Sequence, residues 1–159
     1  MRTSRVVTLS LLVMVAALVM AAPAGAETTN HYYSLSTKGQ GTPGYALASG
    51  YLFFEGKRTV KLRGYATDVC APDGSGNGYG AYVSVILEFK KGPPGARVVG
   101  RDTDGCSTGY NPNPFERTVR TERRIASARV ILTEWDAQSR DLDARAYSRW
   151  WGNPFVYTR

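Results

Sequence analysis

Asp68, Asp73, Asp102 and Asp104 are the residues whose types and spacing point most directly to chemistry. They lie in two glycine-containing stretches, DVCAPDGSGNGYG over 68–80 and DTDGC over 102–106, and each stretch holds one of the two cysteines. A bond between Cys70 and Cys106 brings their Cα atoms within about 6 Å. It also gathers the four aspartates with the Ser75 and Asn77 side chains. Carboxylate and carbonyl oxygens on glycine-rich loops are what Ca²⁺ accepts. The spacing lacks the D-x-D-x-D-G order of an EF-hand, and Asp and Gly also build ordinary turns by capping their own backbone. The expectation is turn chemistry and no cofactor, with a Ca²⁺ site on these four aspartates as the alternative.

The first residues say where such a bond would form. Arg2 and Arg5 precede an apolar run over 6–22, and Ala24-Gly25-Ala26 stands just before Glu27. That order describes a secretory signal peptide over 1–26. The apolar run falls short of a membrane span, and no cysteine follows the cleavage position to carry a lipid. Two cysteines in an exported domain pair. Closing a loop of roughly 36 residues contributes about 3–4 kcal/mol in the chain-entropy picture. Cleavage after residue 26 of the 159 leaves 133 residues, enough for one domain with a core. Losing Arg2 and Arg5 takes the basic residues from 20 to 18 against 13 acidic ones, so the net charge falls from +7 to +5. Mild basicity suits anionic surface polymers. Interleaved Arg, Asp and Glu describe a mixed solvated surface and do not favour nucleic acid.

Catalytic patterns are missing. There is no G-x-S-x-G elbow, no H-E-x-x-H and no phosphate loop. The single histidine, His31, lies near the N-terminus, where it is badly placed as one half of an acid/base pair. Glu134 with Asp136, or Glu88 with Glu134 across a sheet, are the carboxylate pairs that glycoside hydrolysis would use. Aromatic residues are a third signal. Tyr79, Tyr82, Tyr110, Trp135, Trp150, Trp151, Phe155 and Tyr157 exceed what the core of a small domain needs. Such rings either close the ends of a β fold or stack on a ligand. Tyr79, Tyr110, Trp150 and Trp151, with Tyr32 and Tyr33 near the N-terminus, are the candidate binding residues.

The elements that must position these groups are strands. Residues 27–44 are polar and read as an N-terminal arm with one short strand near 31–36, able to add to a partner's sheet edge. From residue 45 the pattern has period two. Strands are predicted over 45–55, 59–69, 81–90, 97–103, 115–121, 127–135 and 145–151, with a turn or a single helical turn over 138–143. In the second, Val60, Leu62, Gly64 and Ala66 face inward; in the third, Ala81, Val83, Val85, Leu87 and Phe89 do; in the sixth, Val130 and Leu132 do. Seven or eight short strands without an amphipathic helix give an all-β domain over 45–159, an antiparallel β-sandwich or compact barrel with one disulfide.

The run Gly64-Tyr65-Ala66-Thr67-Asp68-Val69-Cys70, then Asp73-Gly74, Gly80-Ala81-Tyr82, Asp102 with Gly105-Cys106, and finally Asn153-Pro154, resembles a group of small secreted actinobacterial proteins. Their pattern is D-x-C-x-x-D-G, G-A-Y and D-x-x-G-C. The match runs from residue 64 to the end through short motifs, and the stretch DGSGNGYGAY is longer here than the group's D-G-x-G-A-Y. The resemblance implies a single β domain; most members have no assigned activity. The functional expectation is a secreted, non-catalytic protein that presents its stapled loops to an extracellular protein partner or a cell-surface polymer. The alternatives are an adaptor subunit of a secreted bacterial toxin particle connecting through the N-terminal arm, a lectin-like carbohydrate or Ca²⁺ binder, and a small secreted hydrolase.

Overall fold

Period-two alternation buries one face of each long strand, and a computed structural model shows how those faces meet. It describes residues 29–156 other than 42, 77, 109–110 and 137–138. The 1–26 segment expected to be a signal peptide, Asn77, Tyr110 and Tyr157 lie outside the described residues. One sheet contains β1 (Asn30–Ser36), β2 (Tyr45–Phe54), β3 (Thr59–Val69) and β6 (Asn113–Arg120), in the order β1-β2-β3-β6. The other contains β4 (Gly80–Phe89), β5 (Gly95–Asp102), β7 (Ile125–Trp135) and β8 (Leu142–Tyr147), in the order β5-β4-β7-β8, and the short β9 (Trp151–Gly152) also pairs with β7. All strand pairs are antiparallel. The two sheets stay separate, so the fold is a β-sandwich and not a barrel.

Leu52, Phe54, Val60 and Leu62 from the first sheet meet Val83, Val85, Leu87, Val130 and Leu132 from the second, all buried. Removing each such side chain from water contributes about 1.5–3 kcal/mol. The polar N-terminal stretch takes part. β1 forms an edge strand within it and sends Tyr33 and Leu35 into the core. The predicted strand over 145–151 is interrupted instead of continuous. Ser148 uses its hydroxyl to accept from the Val130 amide at 2.9 Å, while its own amide donates to the Val130 carbonyl at 2.9 Å. The side chain thus stands in for a ladder carbonyl, β8 stops at Tyr147, and the pairing resumes at Trp151.

Gly50 and Gly64 face each other across β2 and β3. Their missing side chains leave room for the Tyr33 ring. A Cβ on Gly64 would meet the Ser49 carbonyl oxygen and lie 2.7 Å from the Tyr33 hydroxyl. Gly64→Ala is therefore expected to lower stability by about 1–3 kcal/mol through overpacking. A urea melt of the variant checks this, and an unchanged midpoint would refute it.

Candidate functional site

Three inward-facing positions at one end of the sandwich carry acids. On β3 the buried series Val60, Leu62 and Ala66 continues to Asp68, and on β7 the series Val130 and Leu132 continues to Glu134. Asp102 closes β5. Register places Asp102 and Glu134 on either side of Ala81 in one sheet, and Asp68 beside Ala46 in the other. Ala46 and Ala81 are fully buried, and their small side chains leave space for the carboxyl groups.

Glu134 joins the sheets: it accepts from the Thr37 hydroxyl and, at 2.9 Å, from the Ala46 amide. The Asp68 amide donates to Asp102 Oδ2 at 2.9 Å. Asp68 and Asp102 are only 3% and 4% exposed, and Oδ1 of each is buried without a hydrogen-bond partner. A buried, unpaired carboxylate is costly, so the neutral form is favoured. Burial pushes Asp68 up to about 7, with the charges of Asp102, Glu134 and Asp104 adding to the effect. Burial likewise raises Asp102 to about 6, helped by its hydrogen bond to Asp104. Asp104 is held below the ordinary carboxylate range by the same bond. Burial also raises Glu134, against the hydrogen bonds from Thr37 and Ala46.

The Cys70–Cys106 disulfide forms as expected, with Cα atoms 4.9 Å apart. It sits beside a short parallel bridge in which Cys70 N–H donates to the Ser107 carbonyl at 3.0 Å and Ser107 N–H to the Asp68 carbonyl at 3.1 Å. Staple and bridge fix both acidic stretches. Of the four aspartates considered for Ca²⁺, Asp68, Asp102 and Asp104 adjoin one another. Asp73 is exposed and caps its own turn, accepting from the Ser75 amide at 2.9 Å and the Ser75 hydroxyl at 2.6 Å. Those bonds, the side-chain one foremost, hold its carboxyl low. Among the described residues no three His, Cys, Asp or Glu side chains converge as a metal-binding group.

Next to the disulfide opens a cleft of about 360 Å³, lined by Asp68, Tyr79, Tyr82, Trp135 and Asp136, with Gly76, Gly78, Gly80 and Gly105 in its walls. Gly80 is required there, because a Cβ would stand 2.8 Å from the Thr103 methyl. Tyr79 faces the acidic β7–β8 connection. Desolvation first, then the charges of Asp143, Asp141 and Asp136, raise its hydroxyl above the usual value. Asp136 is itself held by the Ser139 hydroxyl at 2.6 Å.

Of the six candidate binding residues, Tyr79 alone among the described ones reaches this cleft. Tyr33 is in the core. Trp151 is buried at the other end of the sandwich, stacked on His31 at 5.3 Å, and His31 meets Phe54 edge-on at 5.8 Å. Burial, then the Arg149 charge, lowers the His31 pKa. Trp150 carries the Arg129 guanidinium 4.6 Å from its ring centre. Tyr32 lies on the outer face of the first sheet beside Tyr51, 5.4 Å away. The hydrolase pairs do not converge. Glu88 pairs with Ser127, seven positions along β7 from Glu134 and so roughly 20 Å away. Glu134 faces the interior, whereas Asp136 faces the cleft. Tyr82, Trp135 and Asp136 were not marked as binding residues by sequence reasoning. The available signal was position: Trp135 and Asp136 follow the inward-facing Glu134 at a strand end.

No protein-family model matches the chain, and no curated protein or solved structure matches it either.

Two outcomes follow from this geometry. Cys106→Ser is expected to lower unfolding free energy by about 3 kcal/mol, since it frees a 36-residue loop in the unfolded chain. A denaturant melt with an unchanged midpoint would contradict that. Asp68 has a folded pKa of about 7, above the carboxylate's unfolded value, so its stabilising contribution is complete below pH ~4 and disappears as pH rises through 7. Thermal midpoints measured from pH 4 to 8 should fall on the alkaline side. Asp68→Asn should flatten that slope and raise the pH 8 midpoint by a few degrees, about 1 kcal/mol.

Proposed function

We propose that the protein is a secreted, non-catalytic binding protein that takes a basic side chain of an extracellular protein partner into the Asp68–Trp135 cleft. The observation that carries this reading is the cleft lining: two carboxylates, Asp68 and Asp136, set among the rings of Tyr79, Tyr82 and Trp135. A Lys or Arg head group is attracted to aromatic faces and to carboxylates together. At about 360 Å³ the cleft has room for a single side chain rather than an extended ligand. Its walls are loops already held by the disulfide, so little conformational freedom is lost on binding. An apolar, basic-led N-terminal segment and a disulfide support export.

A cation entering the cleft favours the charged form of Asp68, so binding tightens as pH rises through about 7. The test is capture from culture medium by tagged wild type, Trp135→Ala and Asp136→Asn at pH 6 and pH 8. A discrete partner should be held by wild type, more strongly at pH 8, and lost by at least about tenfold in Trp135→Ala. Capture unchanged in both variants, or none by wild type, would sink the proposal.

A second reading, a lectin-like carbohydrate binder, is favoured by a different surface. Tyr32, Tyr51 and Tyr65 are exposed around a hollow of about 650 Å³ that also includes Ser49, Arg63 and Glu116. Rings with polar neighbours on a flat sheet face are suited to stacking against sugars. Glycan-array binding lost in Tyr51→Ala but retained in Trp135→Ala would favour it. An adaptor that connects through the N-terminal segment has less support, because β1 is already paired with β2 and buries Tyr33 and Leu35.

A further inference from the structure

Antiparallel topology sorts the charges of this chain between its two ends. The disulfide end holds Asp68, Asp73, Asp102, Asp104 and Glu134, the β7–β8 connection adds Asp136 and Asp141, and the start of β8 adds Asp143; these are eight of the 13 acidic residues, with Arg101 and Arg140 beside them. At the far end three turns lie together. The β2–β3 turn brings Lys57 and Arg58, the β4–β5 turn Lys90 and Lys91, and the β6–β7 turn Arg123 and Arg124. All six cations are exposed, against Glu55, Glu88 and Glu122 at the same end.

The platform beneath them is built. Ile125 N–H donates to the Lys57 carbonyl and Thr121 N–H to the Arg58 carbonyl, each at 2.9 Å, and Lys90 N–H donates to the Arg124 carbonyl at 3.0 Å. Asn153, fully buried, donates its amide to the Gly56 and Ile125 carbonyls, each at 3.0 Å. Arg123 lies 3.8 Å from the Phe89 ring centre and donates to the Pro93 carbonyl at 2.9 Å. The three turn backbones are thus held in fixed relative positions across both sheets, which stack about 10 Å apart, and their cationic side chains project from that platform.

We propose that this end docks a linear, phosphodiester-linked polymer of the cell surface, leaving the cleft at the opposite end open. The argument is charge complementarity: several cations clustered across one end suit a backbone that repeats negative charge, and Arg forks suit phosphate oxygens. Nucleic acid fits less well. The turns over 55–58, 90–94 and 121–124 carry no aromatic residue on which bases could stack. The described residues also hold no α-helix to enter a groove.

The test measures binding of the whole folded protein to poly(glycerol phosphate) and to a thymidine oligonucleotide with the same number of phosphates. Wild type should bind the glycerol phosphate polymer, with affinity falling steeply as salt rises. The quadruple variant Lys57→Gln, Arg58→Gln, Lys91→Gln and Arg124→Gln should bind at least about tenfold more weakly and with a shallower salt dependence. Lys57→Arg with Lys91→Arg, which keeps the charge, should retain wild-type binding. Circular dichroism melts confirm that the variants stay folded. No binding by wild type, equal binding by the quadruple variant, or binding of the oligonucleotide as tight as that of the polymer would each overturn the proposal.

Discussion

Desolvation of three carboxyl groups is the constraint around which one end of this sandwich is arranged. Asp68, Asp102 and Glu134 occupy positions where the alternation of their strands demands apolar residues. Each is accommodated differently. Glu134 takes hydrogen bonds from the opposite sheet, at Thr37 and Ala46. Asp102 receives the Asp68 amide, and burial raises its pKa. Asp68 is left with one oxygen unpaired, and burial raises its pKa. A buried polar network of this kind is costly to break and specifies how two sheets meet. Here it also fixes which loops form a rim.

Much of that arrangement was legible in the chain. The inward series of β3, β4 and β7 follows from period two, and the disulfide was expected from two cysteines behind an N-terminal segment that reads as an export signal. Asp68 shares its parity with Val60, Leu62 and Ala66, so its burial was readable, although its neighbours Cys70 and Asp73 give the stretch the look of an open turn. The rest depended on contacts distant in sequence. Nothing near Glu134 announces that Thr37, 97 residues away, supplies its partner. The separation of Asp73 from the other aspartates depends on a local choice, its bond to Ser75, over a longer-range one. The break between β8 and β9 depends on Ser148 replacing a carbonyl with a hydroxyl, which strand propensity does not register.

Charge shows the same dependence on topology. Along the sequence, acids and bases look interleaved, and the net value suggests a weakly basic surface. Folding gathers six exposed cations where turns from both sheets converge at one end, and brings eight of the acids to the stapled end. A single net charge does not show that clustering.

The stacking of His31 on Trp151 has a consequence for chain connectivity. It places the start of β1 against the last strand, and Val156 closes onto Asn153 at that same end. Both ends of the described chain therefore emerge together, away from the Asp68–Trp135 cleft. Nearby termini at a surface are what circular permutation and domain insertion require. Fusion points chosen at residues 29 and 156 lie away from the acidic rim. A permuted chain joined through this junction would keep every strand pairing and move its opening to a turn of choice.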